Sequence, residues 1–434
     1  MKKTSFFAFI LAAVLFFACN PSNGVNPGEN EKKPLLAGYS NQVILDWNQM
    51  AFQAMGGTSY QHSLLASRIN AMVHLAMHDA LNAIAPAYQT YALKRSDTGA
   101  DPVAAAATAA YEVLVNSFPD KKTSLDSALT QSLKTLPTGE RLNRGKALGK
   151  EAATAILSLR QNDGAQQDPI AALTPSTQPG VYQTVQPFTF VFAPFWKDMK
   201  PFGLTKPDQF RVGPQPALNS PAYAEAFQEV KEKGKKDSKT RSAEETVYGM
   251  FWYEFSEIGW NRVTRTVAAD RKTDLLTTAR LFALVNIALA DSYTAGWDSK
   301  FHYNFWRPLT AIRAAENDGN SKTAPDATWE PLMPTPPVQD YPSTHSTLGK
   351  AAATVLAQVL GDKTPFTMTS FTADPAHPKR SFTSFSQAAQ ENADSRVMVG
   401  IHFRFSCDAG LDLGSKIGQW TVDNYLKPVS VSAK

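Results

Sequence analysis

The stretch from Ser63 to Ile84 constrains the fold more than any other. Its apolar residues Leu65, Ile69, Met72, Val73, Ala76, Met77, Ala80, Leu81 and Ile84 recur at spacings of three and four. That period belongs to a helix with one broad apolar face, because a strand places alternate residues on one side. Such a face must be covered by other elements. Further helical stretches are predicted at 102–117, 121–135, 139–161, 242–254 and 272–298, with Gly and Pro at the joins. No series of alternating strands competes with them, so the expected class is all-α. At 434 residues, 43% of them apolar, the chain can bury a sizeable core. It exceeds the usual single-core size, which leaves two packed halves or one large helical assembly. His74 and His78 lie four apart on the first stripe beside Asp79. Zinc could use that spacing, but no third ligand is near in sequence, so two buried, hydrogen-bonded histidines are expected.

The N-terminus reads as a targeting segment. Lys2 and Lys3 precede an apolar run from Phe6 to Phe17, and Ala18-Cys19 follows. The run is short for a membrane span. It resembles a bacterial lipoprotein signal, covering 1–19. That implies an exported protein facing the periplasm or cell surface, touching the membrane only through a lipid on Cys19. Residues 20–38, rich in Asn, Pro, Ser, Gly, Glu and Lys, are expected to be a flexible tether. An N-terminal helical half is expected over 39–219 and a C-terminal half over 220–434. Residues 162–219 mix many prolines with Phe188, Phe192, Phe195 and Trp196, so an ordered irregular belt is expected there. The run from Lys231 to Lys239 reads as a solvated helix end and loop. Formal charge is +4, without basic runs interleaved with aromatics, which argues against a nucleic-acid partner.

Three stretches carry the chemistry. Tyr341-Pro342-Ser343-Thr344-His345-Ser346 reads as a turn feeding a helix, capped by Ser343 or Thr344. A helix start offers unpaired N–H groups to an anion. Lys300-x6-Arg307-Pro308 lies upstream. Ser395-Arg396-x5-His402 lies downstream, on a predicted helix opening at Ser384-x-x-Gln387. Two arginines can each grip an oxyanion with a planar fork, and Lys300 adds a compact charge.

In order and spacing these stretches resemble the tripartite signature of the type 2 phosphatidic acid phosphatase and vanadium haloperoxidase superfamily. Thr344 stands where the family usually has glycine. The family's final aspartate falls four residues after the last histidine; here Ser406 holds that place, and Asp408 is the nearest aspartate. The resemblance extends to His78-Asp79-Ala80-Leu81-Asn82, Pro207-Asp208-Gln209-Phe210-Arg211 and Trp260-Asn261-Arg262. It implies two packed helical bundles, with the site among helices of the C-terminal half.

It also implies an oxyanion shell of Lys300, Arg307, Ser343, Thr344 and Arg396. His402 would bond vanadium, or become phosphorylated in a phosphatase. His345 would be the acid–base group. Asp408, Ser406 or a carbonyl would hold His402's other nitrogen. The leading expectation is a vanadate-dependent haloperoxidase using hydrogen peroxide and a halide. An acid phosphatase holding phosphate and hydrolysing phosphomonoesters is the alternative. A non-catalytic, surface-anchored oxyanion-binding protein comes third. Val338, seven residues before His345, stands where haloperoxidases usually carry an aromatic or a histidine. The sequence is silent on oligomeric state.

Overall fold

Residues 36–59 and 62–429 are described in the computed structural model. The expected signal at 1–19 and the first part of the expected tether, 20–35, lie outside them. The N-terminal helices are α1 (Gln42–Ala54), α2 (Ser63–Ile84), α3 (Pro102–Ser117), α4 (Lys122–Leu133) and α5 (Glu140–Leu159). After the belt come α6 (Pro221–Lys233), α7 (Ala243–Phe251), α8 (Ser256–Asp270), α9 (Leu275–Tyr303) and α10 (Pro308–Arg313). The C-terminal helices are α11 (Thr344–Leu360), α12 (Phe385–Met398) and α13 (Arg404–Asn424). Two small antiparallel pairs are the strands among the described residues. They are β1 (Ile170–Ala171) with β2 (Val191–Phe192), and β3 (Phe366–Thr369) with β4 (Lys379–Phe382). The expected all-α class is the one observed.

The apolar stripe on α2 understates its burial. Leu65 apart, every α2 residue is buried, because α3, α5 and α9 pack around it. Its polar residues are therefore tied down. Asp79 accepts N–H bonds from Tyr91, Ala92 and Leu93 at 2.9, 2.6 and 2.8 Å. His74 lies 2.7 Å from the Asn48 amide, and His78 lies 3.1 Å from Asp79. These are the buried histidines expected from sequence.

The N-terminal helices and the α11–α13 group meet along α9, within one compact unit from Leu35 onward. By length and composition α9 could cross a bilayer, yet its apolar window is 89% buried inside the protein. Its Asp291 accepts N–H bonds from Phe202, Gly203 and Leu204, which pins the belt to the core. Helices α1 and α8 lie outside the predicted helical stretches, and α6 is foreseen only at its charged end. Trp260 and Asn261 of α8 are buried, and Gly259 leaves room for the Glu254 side chain.

Helices α11 and α13 make the tightest crossing. An added Cβ at Gly410 or Gly418 of α13 would sit 2.6 Å from the carbonyl of Ser343 or Ala351. At Gly414 it would strike the Thr347 carbonyl. Three glycines at four-residue spacing thus let α13 lie directly on the α11 backbone.

Candidate active site

Lys300 lies in the last turn of α9, which ends at Asn304 in the left-handed region (φ 47°, ψ 40°). Arg307 is the N-cap of α10, with Pro308 as its first residue. One helix end and the next helix start therefore deliver the two cations. Both are buried. Lys300 Nζ donates to the carbonyls of Gln339 and Asp340 at 2.7 and 3.0 Å. Arg307 donates to the carbonyls of Val338 and Ile401 at 2.7 and 2.8 Å.

Ser343 caps α11, as expected. Its Oγ accepts the Ser346 N–H at 3.4 Å and the Ser346 hydroxyl at 3.0 Å. Its own N–H donates to the Ser406 carbonyl at 2.8 Å. Thr344 and His345 form the first turn of α11. The His345 Nε2 lies 2.9 Å from the Glu254 carbonyl. A carbonyl only accepts, so Nε2 carries the proton and Nδ1 keeps its lone pair. Burial, then the Arg396 charge, hold the His345 pKa well below 6.5.

Arg396 occupies the last turn of α12. It donates to the Trp252 carbonyl at 3.0 Å and lies over the Tyr253 ring, 5.5 Å from its centroid. The Tyr253 hydroxyl in turn donates to the Pro334 carbonyl at 2.8 Å.

His402 differs from expectation. α12 stops at Met398, and Gly400 turns the chain at φ 83°. His402 therefore stands in the short loop before α13, not inside a helix. Gly400 is required twice: for its positive φ, and because a Cβ would collide with Gly234 and Pro331. His402 Nε2 lies 3.0 Å from an Arg307 nitrogen, and Nδ1 lies 2.8 Å from Asp340 Oδ1.

The assignment of Asp408 is corrected by this geometry. Asp408 lies on the exposed face of α13, in the field of Arg404, Asp394 and Glu229. One residue past Cys407, it turns away from His402, while Ser406 turns inward. The carboxylate beside His402 belongs to Asp340, and the Ser406 hydroxyl donates to its other oxygen. Sequence reasoning also missed residues 252–254, which hold Arg396 and His345 through main-chain carbonyls. Backbone acceptors leave no residue-type signal. Asp340 did leave one, since it stands three residues before Ser343.

Charge is unbalanced here. Lys300, Arg307 and Arg396 are buried, and the facing carboxylate is Asp340, 3.9 Å from Arg307. Burial holds the Lys300 pKa well below 10.5, with Arg307 adding to the effect, and brings Arg396 down to about 10. Arg396 Nε has no hydrogen-bond partner among the described residues. An unfilled buried donor and excess positive charge are costly alone and fit a bound dianion. Vanadate and phosphate both match that demand.

Comparisons with known proteins agree with the geometry. The VCPO second helical-bundle domain matches residues 280–430, which contain all three motifs. A vanadium chloroperoxidase from Curvularia inaequalis is 25% identical over 86% of this chain and 80% of its own length. The crystal structure of the first bacterial vanadium-dependent iodoperoxidase aligns over 91% of this chain and 98% of that one, with TM-score 0.77 and 25% identity. Residues 280–430 thus match the VCPO second helical-bundle domain, and most of the chain is similar to vanadium haloperoxidases. An apo-type bacterial vanadium-dependent chloroperoxidase shares the fold at 18% identity, over 83% of this chain and 93% of that one, with TM-score 0.68.

Proposed function

We propose that this protein is a vanadate-dependent haloperoxidase-like enzyme that uses hydrogen peroxide to oxidise a halide. The observation that carries the reading is the buried cluster of three cations facing, among the described residues, the one carboxylate of Asp340. Lys300, Arg307 and Arg396 would hold the vanadate oxygens, with Ser343 and the first-turn N–H groups of α11, including that of Thr344, completing the shell. His402 would present Nε2 to the metal. Bound vanadate would supply Lewis-acid activation of peroxide without changing oxidation state. His345 would take a proton from the incoming peroxide at Nδ1. Its low pKa keeps that nitrogen free at neutral pH.

The test is an assay of the vanadate-reconstituted protein with peroxide and each halide in turn. A phosphomonoester assay on the vanadate-free protein runs beside it. Halide oxidation that requires added vanadate supports the reading. Phosphomonoester hydrolysis without any halide oxidation would replace it with the phosphatase.

Export and lipidation at Cys19 are part of the same proposal, supported by the charged start, the apolar run and Ala18-Cys19. One acyl chain binds a bilayer only marginally, so stable anchoring needs several. Cys19→Ala should move the protein to the soluble fraction. An unmodified N-terminus on soluble wild-type protein would reject the anchor.

A further inference from the structure

We infer that Asp340, from the loop before α11, supplies the carboxylate that sets the His402 ring, and that Ser406 is the hydroxyl that clamps it. This deepens the proposed function and rests on its reading of His402 as the residue that bonds the oxyanion. The superfamily pattern places its aspartate four residues after that histidine. Here Ser406 holds the position and the acid arrives from the other side.

The two residues meet on His402's far edge. Asp340 Oδ1 is 2.8 Å from Nδ1, and Oδ2 accepts the Ser406 hydroxyl. Asp340 and Ser406 are both fully buried. The Nδ1 contact is close but off the line of a strong hydrogen bond, and Oδ1 has no other hydrogen-bond donor. Arg307, 3.9 Å from that oxygen, is farther from it than His402. One Arg307 nitrogen lies 3.0 Å from Nε2 and 3.5 Å from Nδ1, over the ring, and it can only donate. A carboxylate only accepts, so the neutral ring that suits Asp340 carries its proton on Nδ1 and its lone pair on Nε2. That is the tautomer a ligating or nucleophilic histidine needs.

The main chain makes the arrangement rigid. Asp340 N–H donates to the Phe305 carbonyl at 3.0 Å, and the Ser343 N–H donates to Ser406 at 2.8 Å. The Asp340 carbonyl also accepts from Lys300 at 3.0 Å. One residue therefore registers two members of the site, His402 by its side chain and Lys300 by its backbone. Asp340 is a positioning residue, acting through His402.

Because positions 340 and 406 face each other, the acid can be moved between them without changing composition. Asp340→Ser should weaken vanadate binding, read by titration calorimetry, by roughly 10–100-fold, with kcat/KM falling in parallel. Adding Ser406→Asp to that variant should restore most of both losses. A purely structural role for the Asp340 carboxylate predicts no such rescue. Unchanged vanadate affinity in Asp340→Ser would overturn the inference. So would a double variant that is folded by circular dichroism and thermal unfolding but binds no better than the single one. Should the double variant not fold, Asp340→Asn decides. Its amide oxygen still accepts from Nδ1, so it should lose clearly less affinity than Asp340→Ala, and equal losses would reject the assignment. If wild type binds vanadate yet oxidises no halide, the functional reading fails, while this test still reads anion affinity.

Discussion

Arg396→Met should separate stability from binding. Among the described residues Arg396 has no carboxylate partner and one hydrogen bond, to the Trp252 carbonyl, while its Nε is unsatisfied. Its pKa falls from 12.5 to about 10, first because burial penalises the charged form. That lowering corresponds to about 3 kcal/mol against the charge. Losing the bond to Trp252 returns about 1–3 kcal/mol. Methionine fills much of the vacated volume with an adaptable apolar chain. The anion-free variant should therefore unfold at about the same free energy as wild type, or slightly higher. Vanadate binding should behave oppositely. Removing one partner of a buried charge pair costs on the order of 2–5 kcal/mol, roughly 30-fold to several thousand-fold in affinity. Urea unfolding of the anion-free proteins measures the first quantity, and calorimetric titration with vanadate and with phosphate measures the second. Wild type should gain stability with added vanadate as RT ln(1 + [L]/Kd), and the variant should gain almost none. Anion-free Arg396→Met weakened by more than about 3 kcal/mol would mean that the guanidinium is structural. Vanadate affinity within twofold of wild type would remove Arg396 from the site.

The two histidines should fail differently. His402→Ala should lose tight vanadate binding, while His345→Ala should keep it and turn over about 10²–10⁴-fold more slowly; equal loss of affinity would refute the division of roles. Arg307→Ala should weaken vanadate by on the order of 2–5 kcal/mol in the same titration. Gly414→Ala should cost about 1–3 kcal/mol in urea unfolding and loosen vanadate binding, because its Cβ collides with the Thr347 carbonyl; a neutral result would deny the close crossing. His74, whose pKa burial and then Arg265 lower to about 3, refuses a proton that the unfolded chain accepts below 6.5. Its contribution to stability is complete above pH 6.5 and declines as pH falls toward 3, by on the order of 5 kcal/mol, so His74→Gln should flatten the acid limb of the unfolding curve.

The motifs gave away most of the site because they are local. Lys300 to Arg307, and Ser343 to His345, each span one helix end and its neighbouring turn, so spacing in sequence is close to spacing in space. What stayed hidden depends on long-range contact. Asp340 reaches His402 across 62 positions, and the carbonyls of Trp252 and Glu254 hold Arg396 and His345 from 144 and 91 positions away. His402 read as helical because Ser395 and His402 are seven apart, although Gly400 between them carried the signal of a chain reversal. The Ser384-x-x-Gln387 cap was half legible. Ser384 accepts the Gln387 N–H, but the Gln387 side chain accepts from Thr383. The α8 helix lay between two predicted helices; Gly259 sits inside it, with the Glu254 side chain packed close by. The spacing of Gly410, Gly414 and Gly418 was visible in sequence and fixes how closely α13 approaches α11.

The site holds its cations with neutral groups, and this links fold to function. Lys300 rests on two carbonyls, Arg307 on two and Arg396 on one. Carbonyl dipoles orient a cation and replace part of its hydration without cancelling its charge. Three carboxylates in their place would have stabilised the anion-free protein and left little attraction for a dianion. The chain bearing these carbonyls is held by the Asp340 N–H bond to Phe305, by the Tyr253–Pro334 bond and by the Ser343–Ser406 link between α11 and α13. The donors are therefore in place before the anion arrives, so binding needs little reorganisation. Asp340 is the exception among these neutral acceptors, and its position explains why. Its side chain faces His402 and its carbonyl faces Lys300, so its negative charge is placed where a histidine proton must be held.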